Sequence, residues 1–405
     1  MDKPYDLVLL GATGFTGQLV AEYLNERYGV GGDLRWAVAG RSSAKLDDLK
    51  KSLGADELPT LTADSSDRQS LDKLCQATRV VCTTVGPYAK YGDDLVAACA
   101  ASGTHYCDLT GEPQWIRRMI DANEAAAQES GAVIVHSCGF DSIPSDLGVY
   151  FLQEAASERN GKPCDQVKFR LKAAKGGASG GTAASLMNAV SEARADRDTA
   201  RALVNPYSLY PRDEERGRDG RDQNGLKFDP DVPGWTGPFV MAGINTKIVR
   251  RGNAVAGFPY GRDFRYDEAV IVGRGLGGWM KGAALTAGMS GLMIGAAIPP
   301  SRWVLERFVL PDPGEGPNEH ERTHGFFNIV LIGKNDGEVS IRVRVKGDRD
   351  PGYGSTSKML GEAAVCLAKD EVVAEGGFWT PASAMGAPLL ARLQANAGLT
   401  FEVEA

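Results

Sequence analysis

The sequence lacks an excess of positive charge, because its 45 Lys and Arg residues stand against 52 Asp and Glu residues. The net charge is −7, and 43% of the residues are hydrophobic, which is ordinary for a globular protein. Nonspecific binding of nucleic acid depends on basic patches. The composition therefore argues against nucleic acid as a partner.

Paired cysteines are also lacking. The seven cysteines include no C-x-x-C pair, and no secretory signal is recognisable at the N-terminus. Disulfide frameworks are typical of secreted proteins with an even number of cysteines. We therefore expect reduced thiols, most of them small core residues, in a cytoplasmic protein.

The sequence has no clear membrane-spanning helix, which needs about 20 apolar residues. Residues 282–298 are 17 consecutive uncharged residues, rich in Gly and Ala, and we expect them not to span a bilayer. Gly291 and Gly295 form a G-x-x-x-G pattern, which is typical of close helix packing. Packing within the protein or in a homo-oligomer is the favoured interpretation. Peripheral contact with a membrane or a long acyl chain stays open as the alternative.

Potential metal ligands are scarce, because the chain has only four histidines. His320, Glu321 and His324 match the H-E-x-x-H pattern of zinc proteases, which needs both histidines on one helical face. Pro317 precedes this segment and Gly325 follows it. We therefore expect a solvated loop without a helix, and no bound metal.

The stretch LVLLGATGFTGQLV, residues 7–20, has the pattern of a strand, a glycine turn and a helix. Gly11 would permit the tight turn, Gly14 would let the backbone approach a pyrophosphate, and Gly17 would let the helix pack closely on the strand. The N–H groups at the helix start would face the anion. An ordinary strand-to-helix turn is the alternative for this spacing. The predicted cofactor contacts here are Gly11, Thr13, Gly14, Phe15, Thr16 and Gly17.

A second strand, predicted over residues 34–40, ends directly before Arg41 and Ser42. An acidic residue at this place favours NAD, whereas an arginine favours the 2′-phosphate of NADP. Arg41 and Ser42 therefore predict NADP (NADPH) as the cofactor. A solvated surface arginine is the alternative.

Further strands are predicted at residues 58–64, 79–88, 104–109 and 132–141, and they alternate with helices. This alternation predicts an α/β fold with an N-terminal Rossmann-type, doubly wound parallel sheet over residues 1–148. Ligands of such sheets bind at the carboxyl ends of the strands. Asp64, Gly86 and Pro87 are predicted there as further cofactor contacts, and Tyr88, Asp108 and Asp141 are predicted at the same edge.

The pattern of the second half of the sequence predicts an α+β domain with a largely antiparallel sheet over residues 149–379. Residues 326–333 and 338–347 have strand patterns, and the Asp-Gly pair between them predicts a hairpin. A C-terminal helix within residues 380–405 is expected to pack back on the first domain. The glycines at 273–278 match G-x-G-x-x-G, but no strand-helix series follows, so we interpret them as a bend.

A series of different, conspicuous motifs extends along nearly the whole chain. They are GATGFTG (11–17), AGRS (39–42), VGPYAKYG (85–92), GTHYCDLTGE (103–112), CGFDSIPSDLG (138–148), SGGTAAS (179–185), PPSRWVLERF (299–308), PGEGP (313–317), DPGYGSTSKMLGEAA (350–364) and GGFWTPASAMG (376–386). With these motifs the chain resembles the saccharopine dehydrogenase-like oxidoreductases, specifically the branch that contains the mycobacterial trans-acting enoyl reductases.

The resemblance implies that NADPH reduces the carbon–carbon double bond of an enoyl thioester in lipid or polyketide-type assembly. The substrate would be an acyl thioester on a carrier protein. Two alternatives stay open: a related enzyme acting on a C–N or C–OH bond, and a noncatalytic nucleotide-binding protein that associates with lipid.

The reaction needs a proton donor, for which the sequence offers three candidates. Tyr88 follows a strand end and carries a hydroxyl that can donate, although a packing or ribose-contacting role is the alternative. Asp141 and Ser142 are weaker candidates, because both residue types are common in turns and helix caps.

Overall fold

The computed structural model describes residues 3–176, 180–308 and 316–404. The motifs at 179–185 and 313–317 therefore lie partly outside the described residues. Two seven-stranded sheets, with helices packed on them, make up the described fold.

The first sheet is parallel and begins with alternating strands and helices. Its strand order is β13-β6-β5-β4-β1-β2-β3, and every strand pair is parallel. The order β3-β2-β1-β4-β5-β6 is that of a Rossmann fold, so this prediction is confirmed. The first elements are β1 (Tyr5–Leu10), α1 (Phe15–Tyr28), β2 (Trp36–Gly40), α2 (Ser43–Ser52), β3 (Thr60–Thr62), α3 (Arg68–Ala77), β4 (Thr78–Thr83), α4 (Tyr88–Tyr91), α5 (Asp93–Ser102), β5 (His105–Cys107), α6 (Pro113–Ser130) and β6 (Val133–Val135).

The next elements lead into the second sheet. They are α7 (Ile143–Asn160), β7 (Gln166–Lys175), α8 (Gly180–Ala195), α9 (Arg197–Val204), β8 (Lys227–Asp229), β9 (Gly234–Gly237), α10 (Ala242–Val255), β10 (Arg265–Gly273), α11 (Gly275–Ala297), α12 (Pro299–Phe308), α13 (Glu319–Thr323), β11 (Phe326–Asn335) and β12 (Glu338–Gly347). The chain ends with α14 (Gly354–Lys369), β13 (Gly377–Trp379), α15 (Pro381–Asn396) and β14 (Leu399–Val403).

The second sheet has the order β14-β12-β11-β7-β10-β9-β8. Only β7 and β10 pair in parallel, so the prediction of a largely antiparallel sheet is confirmed. The predicted hairpin joins β11 to β12. Asp336 and Gly337 both have positive φ, +52° and +84°, as a two-residue type I′ turn requires.

The C-terminal part of the chain contributes to both sheets. Helix α14 packs on α1, β1 and β4, and strand β13 pairs with β6 in the parallel sheet. Strand β14 instead pairs with β12 in the second sheet. Sheet membership therefore differs from the contiguous division into 1–148 and 149–379. A three-residue strand carries too little pattern to show which sheet it joins.

The segment around His320 is not the helix-free loop that we expected. Residues Glu319–Thr323 form the short helix α13, in which Asn318 and Glu321 make a reciprocal capping box. The rings of His320 and His324 stack at 4.1 Å. The described part of the chain holds no group of three or more metal-ligating side chains. The absence of a metal stays a prediction.

Helix α11 contains most of the uncharged segment 282–298. None of the helices in the described residues is both long and apolar enough to cross a membrane. The glycines at 273–278 end β10 and begin α11. This position agrees with a bend between a strand and a helix.

A buried carboxylate anchors α14 against the first sheet. Glu362 Oε1 accepts hydrogen bonds from the hydroxyls of Tyr23 (2.5 Å) and Tyr28 (2.6 Å) on α1. Its Oε2 accepts from Arg392 (3.4 Å) and Asn396 (3.2 Å) on α15. Glu362 and Tyr23 are buried, whereas Tyr28, Arg392 and Asn396 are half-buried.

We expect Glu362→Ala to lower the free energy of unfolding by about 3 kcal/mol, because it leaves the buried Tyr23 hydroxyl without an acceptor and removes the carboxylate that links α1, α14 and α15. Urea denaturation monitored by circular dichroism would measure this. Glu338→Ala removes an exposed glutamate and should change stability by less than about 0.5 kcal/mol. Equal effects of the two variants would contradict the anchoring role.

Candidate cofactor and active site

The glycine turn after β1 has two positions at which the fold itself excludes a side chain. Gly11 has φ +85°, and a Cβ there would lie 2.7 Å from Val85 Cγ2. A Cβ at Gly17 would lie 2.1 Å from the carbonyl oxygen of Gly11. These contacts hold the start of α1 directly against the end of β1.

Gly14 differs from these glycines, because a Cβ there would meet no atom of the turn closer than the Gly11 oxygen at 3.4 Å. It is exposed and stands at the N-cap of α1 without a side-chain cap. The first N–H groups of an uncapped helix remain available for an anion. The turn therefore fits a dinucleotide pyrophosphate, which needs the open surface at Gly14.

The other predicted contacts in the turn are less open. The carbonyl oxygen of Thr13 accepts a hydrogen bond from Gln18 (3.1 Å). The Phe15 ring packs edge-on against Tyr353, with centroids 4.7 Å apart, and the Arg322 guanidinium lies over it. The ring of Phe15 is thus held by packing contacts within the protein, and its contact with the cofactor stays a prediction. The side chain of Thr16 is half-buried, and its role stays a prediction.

The end of β2 presents an unpaired cation. Arg41 is exposed, and it makes no hydrogen bond or ion pair within the described ranges. Ser42 caps α2 by accepting from the N–H of Lys45 (3.4 Å). Arg41 therefore fits a cofactor phosphate, whereas the hydroxyl of Ser42 is partly used by the helix.

Asp64 organises the loop after β3. Its Oδ1 accepts from the N–H of Ser66 (2.9 Å), and its backbone N–H donates to Ser70 Oγ (3.0 Å). A direct contact of Asp64 with the cofactor stays a prediction.

The loop after β4 lies beside the glycine turn. The N–H of Thr84 donates to the carbonyl of Leu10 (3.1 Å), and its hydroxyl donates to that of Gly11 (3.2 Å). Gly86 and Pro87 follow directly, and Gly86 is exposed. The structure thus brings these two predicted residues to the same edge as the turn.

Glu112 is a site residue that the sequence did not indicate. Its carboxylate accepts from the N–H groups of Tyr88 (3.0 Å) and Ala89 (3.1 Å) and from Ser185 Oγ (2.8 Å) on α8. Glu112 therefore fixes the loop that carries Gly86 and Pro87. In the sequence, only the position of Glu112 after strand β5 could have indicated that it belongs to the site.

Tyr88 is buried, and its hydroxyl is already in use. The hydroxyl donates to the carbonyl of Thr83 (3.1 Å) and accepts from the N–H of Leu109 (3.4 Å). Burial raises the pKa of Tyr88 well above its usual value. These contacts favour the packing role over proton donation.

Asp108 lies at the expected edge but is fully enclosed. It accepts from His136 Nδ1 (2.7 Å) and the Tyr106 hydroxyl (2.8 Å). The N–H groups of Thr110 and Ser137 also donate to it, each at 3.0 Å. Asp108 therefore joins the loops after β5 and β6 instead of facing a ligand.

Asp141 is the acid that remains open at this edge. Its oxygens lie close to two glycines, since a Cβ at Gly139 would be 2.9 Å from Oδ2 and one at Gly111 would be 3.6 Å from Oδ1. The residue is half-buried. Burial raises its pKa to about 7, its own backbone N–H opposes this rise, and the charge of Asp108 adds to it. Such a carboxyl can hold a proton near neutral pH and release it.

Ser142 belongs to a buried polar network. Its hydroxyl donates to Asn245 Oδ1 (3.1 Å), and Asn245 Nδ2 donates to Glu268 (3.0 Å). Ser145 and Tyr266 donate to the same carboxyl, each at 2.7 Å. This network joins α7 to α10 and β10, and it favours a structural role for Ser142.

The start of α14 packs against the loop that carries Asp141. Thr356 Oγ1 accepts from the N–H of Phe140 (2.9 Å) and donates to the carbonyl of Pro351 (2.8 Å). Thr356 Cγ2 would lie 2.9 Å from a Cβ at Gly139. Residues more than 200 positions apart thus pack together beside Asp141.

Comparisons with known proteins agree with this site. A family model described as the saccharopine dehydrogenase NADP binding domain matches residues 7–135. A Mycobacterium tuberculosis protein that carries the name of a trans-acting enoyl reductase is 42% identical, over 99% of this chain and 97% of its own. The trans-acting enoyl reductase of Mycobacterium bovis is 38% identical, over 97% of this chain and 96% of its own.

Among solved structures, the apo saccharopine dehydrogenase of Saccharomyces cerevisiae is similar over 98% of this chain and 99% of its own. The TM-score is 0.52 and the identity 14%, so the likeness is one of fold. The family match at 7–135 confirms the prediction of NADP as the cofactor. The individual contacts stay predictions.

We expect Arg41→Ala to weaken NADPH binding about 10- to 100-fold, because a charge-assisted hydrogen bond to phosphate is lost. NADH binding should change little, since NADH has no 2′-phosphate. Titration of both cofactors by protein fluorescence would measure this. The control is Arg79→Ala. Arg79 is an exposed arginine at the start of β4, whereas Arg41 follows the end of β2. Equal weakening of both cofactors would show that Arg41 does not read the phosphate.

Proposed function

The chain belongs to the family of the trans-acting enoyl reductases, and on that premise we propose that this NADP-dependent oxidoreductase reduces the double bond of an enoyl thioester. When bound, NADPH supplies a hydride for the β-carbon. The protein then has to donate hydrogen bonds to the thioester oxygen and a proton to the α-carbon. Lipid or polyketide-type assembly is the setting in which such thioesters are reduced.

Asp141 is the observation that carries this proposal. It is half-buried at the carboxyl edge of the parallel sheet, where the cofactor turn also lies. Its pKa of about 7 keeps a transferable proton on the carboxyl at neutral pH. Tyr88 and Ser142 are less suited to the role, because their hydroxyls are engaged inside the protein. We therefore assign proton donation to Asp141.

The proposed reaction also implies partners for the protein. The acyl thioester is carried by an acyl-carrier protein, which is usually acidic and needs a basic surface. Arg302 and Arg307 on α12 supply basic side chains for it. Peripheral contact with lipid through residues 282–298 is a further partner proposal, and self-association of the chain is its alternative at this surface. Both are supported by the apolar side chains that α11 exposes.

The reaction can be tested with NADPH and enoyl thioesters of increasing chain length, free and carrier-bound. We expect oxidation of NADPH in a 1:1 ratio with a saturated acyl product. The absence of product from every enoyl substrate, together with turnover of an imine or ketone, would instead support C–N or C–OH chemistry. Tight NADPH binding without turnover of any acceptor would indicate a noncatalytic protein.

We expect kcat/KM to fall as the pH rises through about 7, because the acid must be protonated and its population decreases above its pKa. Asp141→Asn should lower kcat about 10²- to 10⁴-fold and abolish this decline. Steady-state rates between pH 5.5 and 9 would measure both.

Tyr88→Phe is the matched control, because it removes the competing hydroxyl and keeps the ring. It should retain the pH decline and most of the activity. NADPH binding by Asp141→Asn should be unchanged, which separates a chemical defect from misfolding. An unaltered pH profile in Asp141→Asn would exclude Asp141 as the acid.

A further inference from the structure

Helices α11 and α12 expose an unusual concentration of large apolar side chains. Half of the 16 exposed large hydrophobic residues in the described part of the chain lie between 276 and 304. We name this surface the α11–α12 face. It comprises Leu276, Trp279, Met280, Met293, Ile294, Ile298, Trp303 and Val304.

Helix α11 is apolar on both of its sides. The inner side packs on the second sheet, where Leu285 meets Gly237 and Leu226 meets Gly282. The outer side would normally be polar in a helix at a water-exposed surface. Here Leu276 is 74% exposed and Ile294 is 61% exposed, and Lys281 is the only charged residue of the helix. Exposed large apolar side chains that are concentrated in this way mark an interaction surface.

The charges around this face are opposite in sign to those of the whole protein. Residues 274–307 include four basic residues and one acidic residue, whereas the chain has a net charge of −7. Arg194, Arg274 and Lys281 are exposed. None of these three forms an ion pair with another described residue. The Arg194 guanidinium contacts the carbonyl of Ala297 at the end of α11, so cations stand at both ends of the helix.

We propose that the α11–α12 face docks peripherally on an anionic phospholipid surface. The apolar side chains enter the headgroup boundary, and Arg194, Arg274 and Lys281 meet the lipid phosphates. Trp279 and Trp303 suit this depth, since tryptophan is enriched where membrane and water meet. The docking rests on the lipid contact of the proposed function and is independent of the double-bond chemistry.

A second copy of the chain fits this face less well. A twofold interface places the same surface patch of both subunits together. The cations at both ends of α11 would then approach cations of the other copy, and like charges in contact are unfavourable. An anionic lipid surface accommodates the apolar side chains and the cations together.

Flotation of the full-length protein with vesicles tests the docking. Vesicles of phosphatidylcholine alone are compared with vesicles that also contain phosphatidylglycerol. We expect binding to the mixed vesicles, and weaker binding in high salt because the charges are screened. Failure of the protein to bind mixed vesicles would overturn the proposal.

Two pairs of variants locate the surface. Arg274→Gln/Lys281→Gln should weaken vesicle binding about 25-fold, since each cation near an anionic surface is worth about 1 kcal/mol. Lys162→Gln, at an exposed lysine of another surface, should have no effect. Ile294→Ser should weaken binding, whereas Val373→Ser, at a residue 81% exposed elsewhere, should not. Equal binding by all variants would overturn the assignment of the face.

The two exposed tryptophans report the docking directly. Lipids with brominated acyl chains should quench tryptophan fluorescence, and Trp279→Phe/Trp303→Phe should lose this quenching. NADPH oxidation with a soluble short-chain enoyl thioester, measured without lipid, should be unchanged in every variant. That assay separates failure of the docking from failure of the proposed reaction. A dimer that Ile294→Ser dissociates, without any vesicle binding, would reassign the face to a second copy.

Discussion

The contact between Gly17 and the carbonyl oxygen of Gly11 determines the geometry of the cofactor site. Any side chain at Gly17 would push α1 away from the end of β1. With α1 held there, its uncapped N-terminus stands at the carboxyl edge of the sheet, and Gly14 leaves the surface in front of it open. Thr84 ties the neighbouring loop to the same turn. The site is thus built around one close approach of two backbones.

The buried carboxyl groups of the protein have different roles because their donors differ. Glu362 and Asp108 each accept several hydrogen bonds and act as anchors. Glu112 holds a loop through two backbone N–H groups. Asp141 lacks such a set of neighbouring donors and lies partly open, and burial raises its pKa. A carboxyl group that accepts few hydrogen bonds from the protein is the one suited to proton transfer.

The C-terminal part of the chain completes a site that the N-terminal part begins. Helix α14 packs on the first sheet, and its first turn places Thr356 against the loop before Asp141. Tyr353 packs on Phe15 in the cofactor turn. These contacts therefore form only when both ends of the chain have folded together.

The sequence by itself determined the glycine turn, the parallel sheet, the hairpin at Asp336 and Gly337, and NADP as the cofactor. Each depends on local periodicity, or on a residue type at a fixed distance from a strand end. Only the tertiary structure decided that β13 joins the first sheet, that the Tyr88 hydroxyl is occupied and that α11 leaves its outer face exposed. These features depend on contacts between residues far apart in the chain. Local sequence patterns do not show which apolar face of a helix packs against another part of the protein.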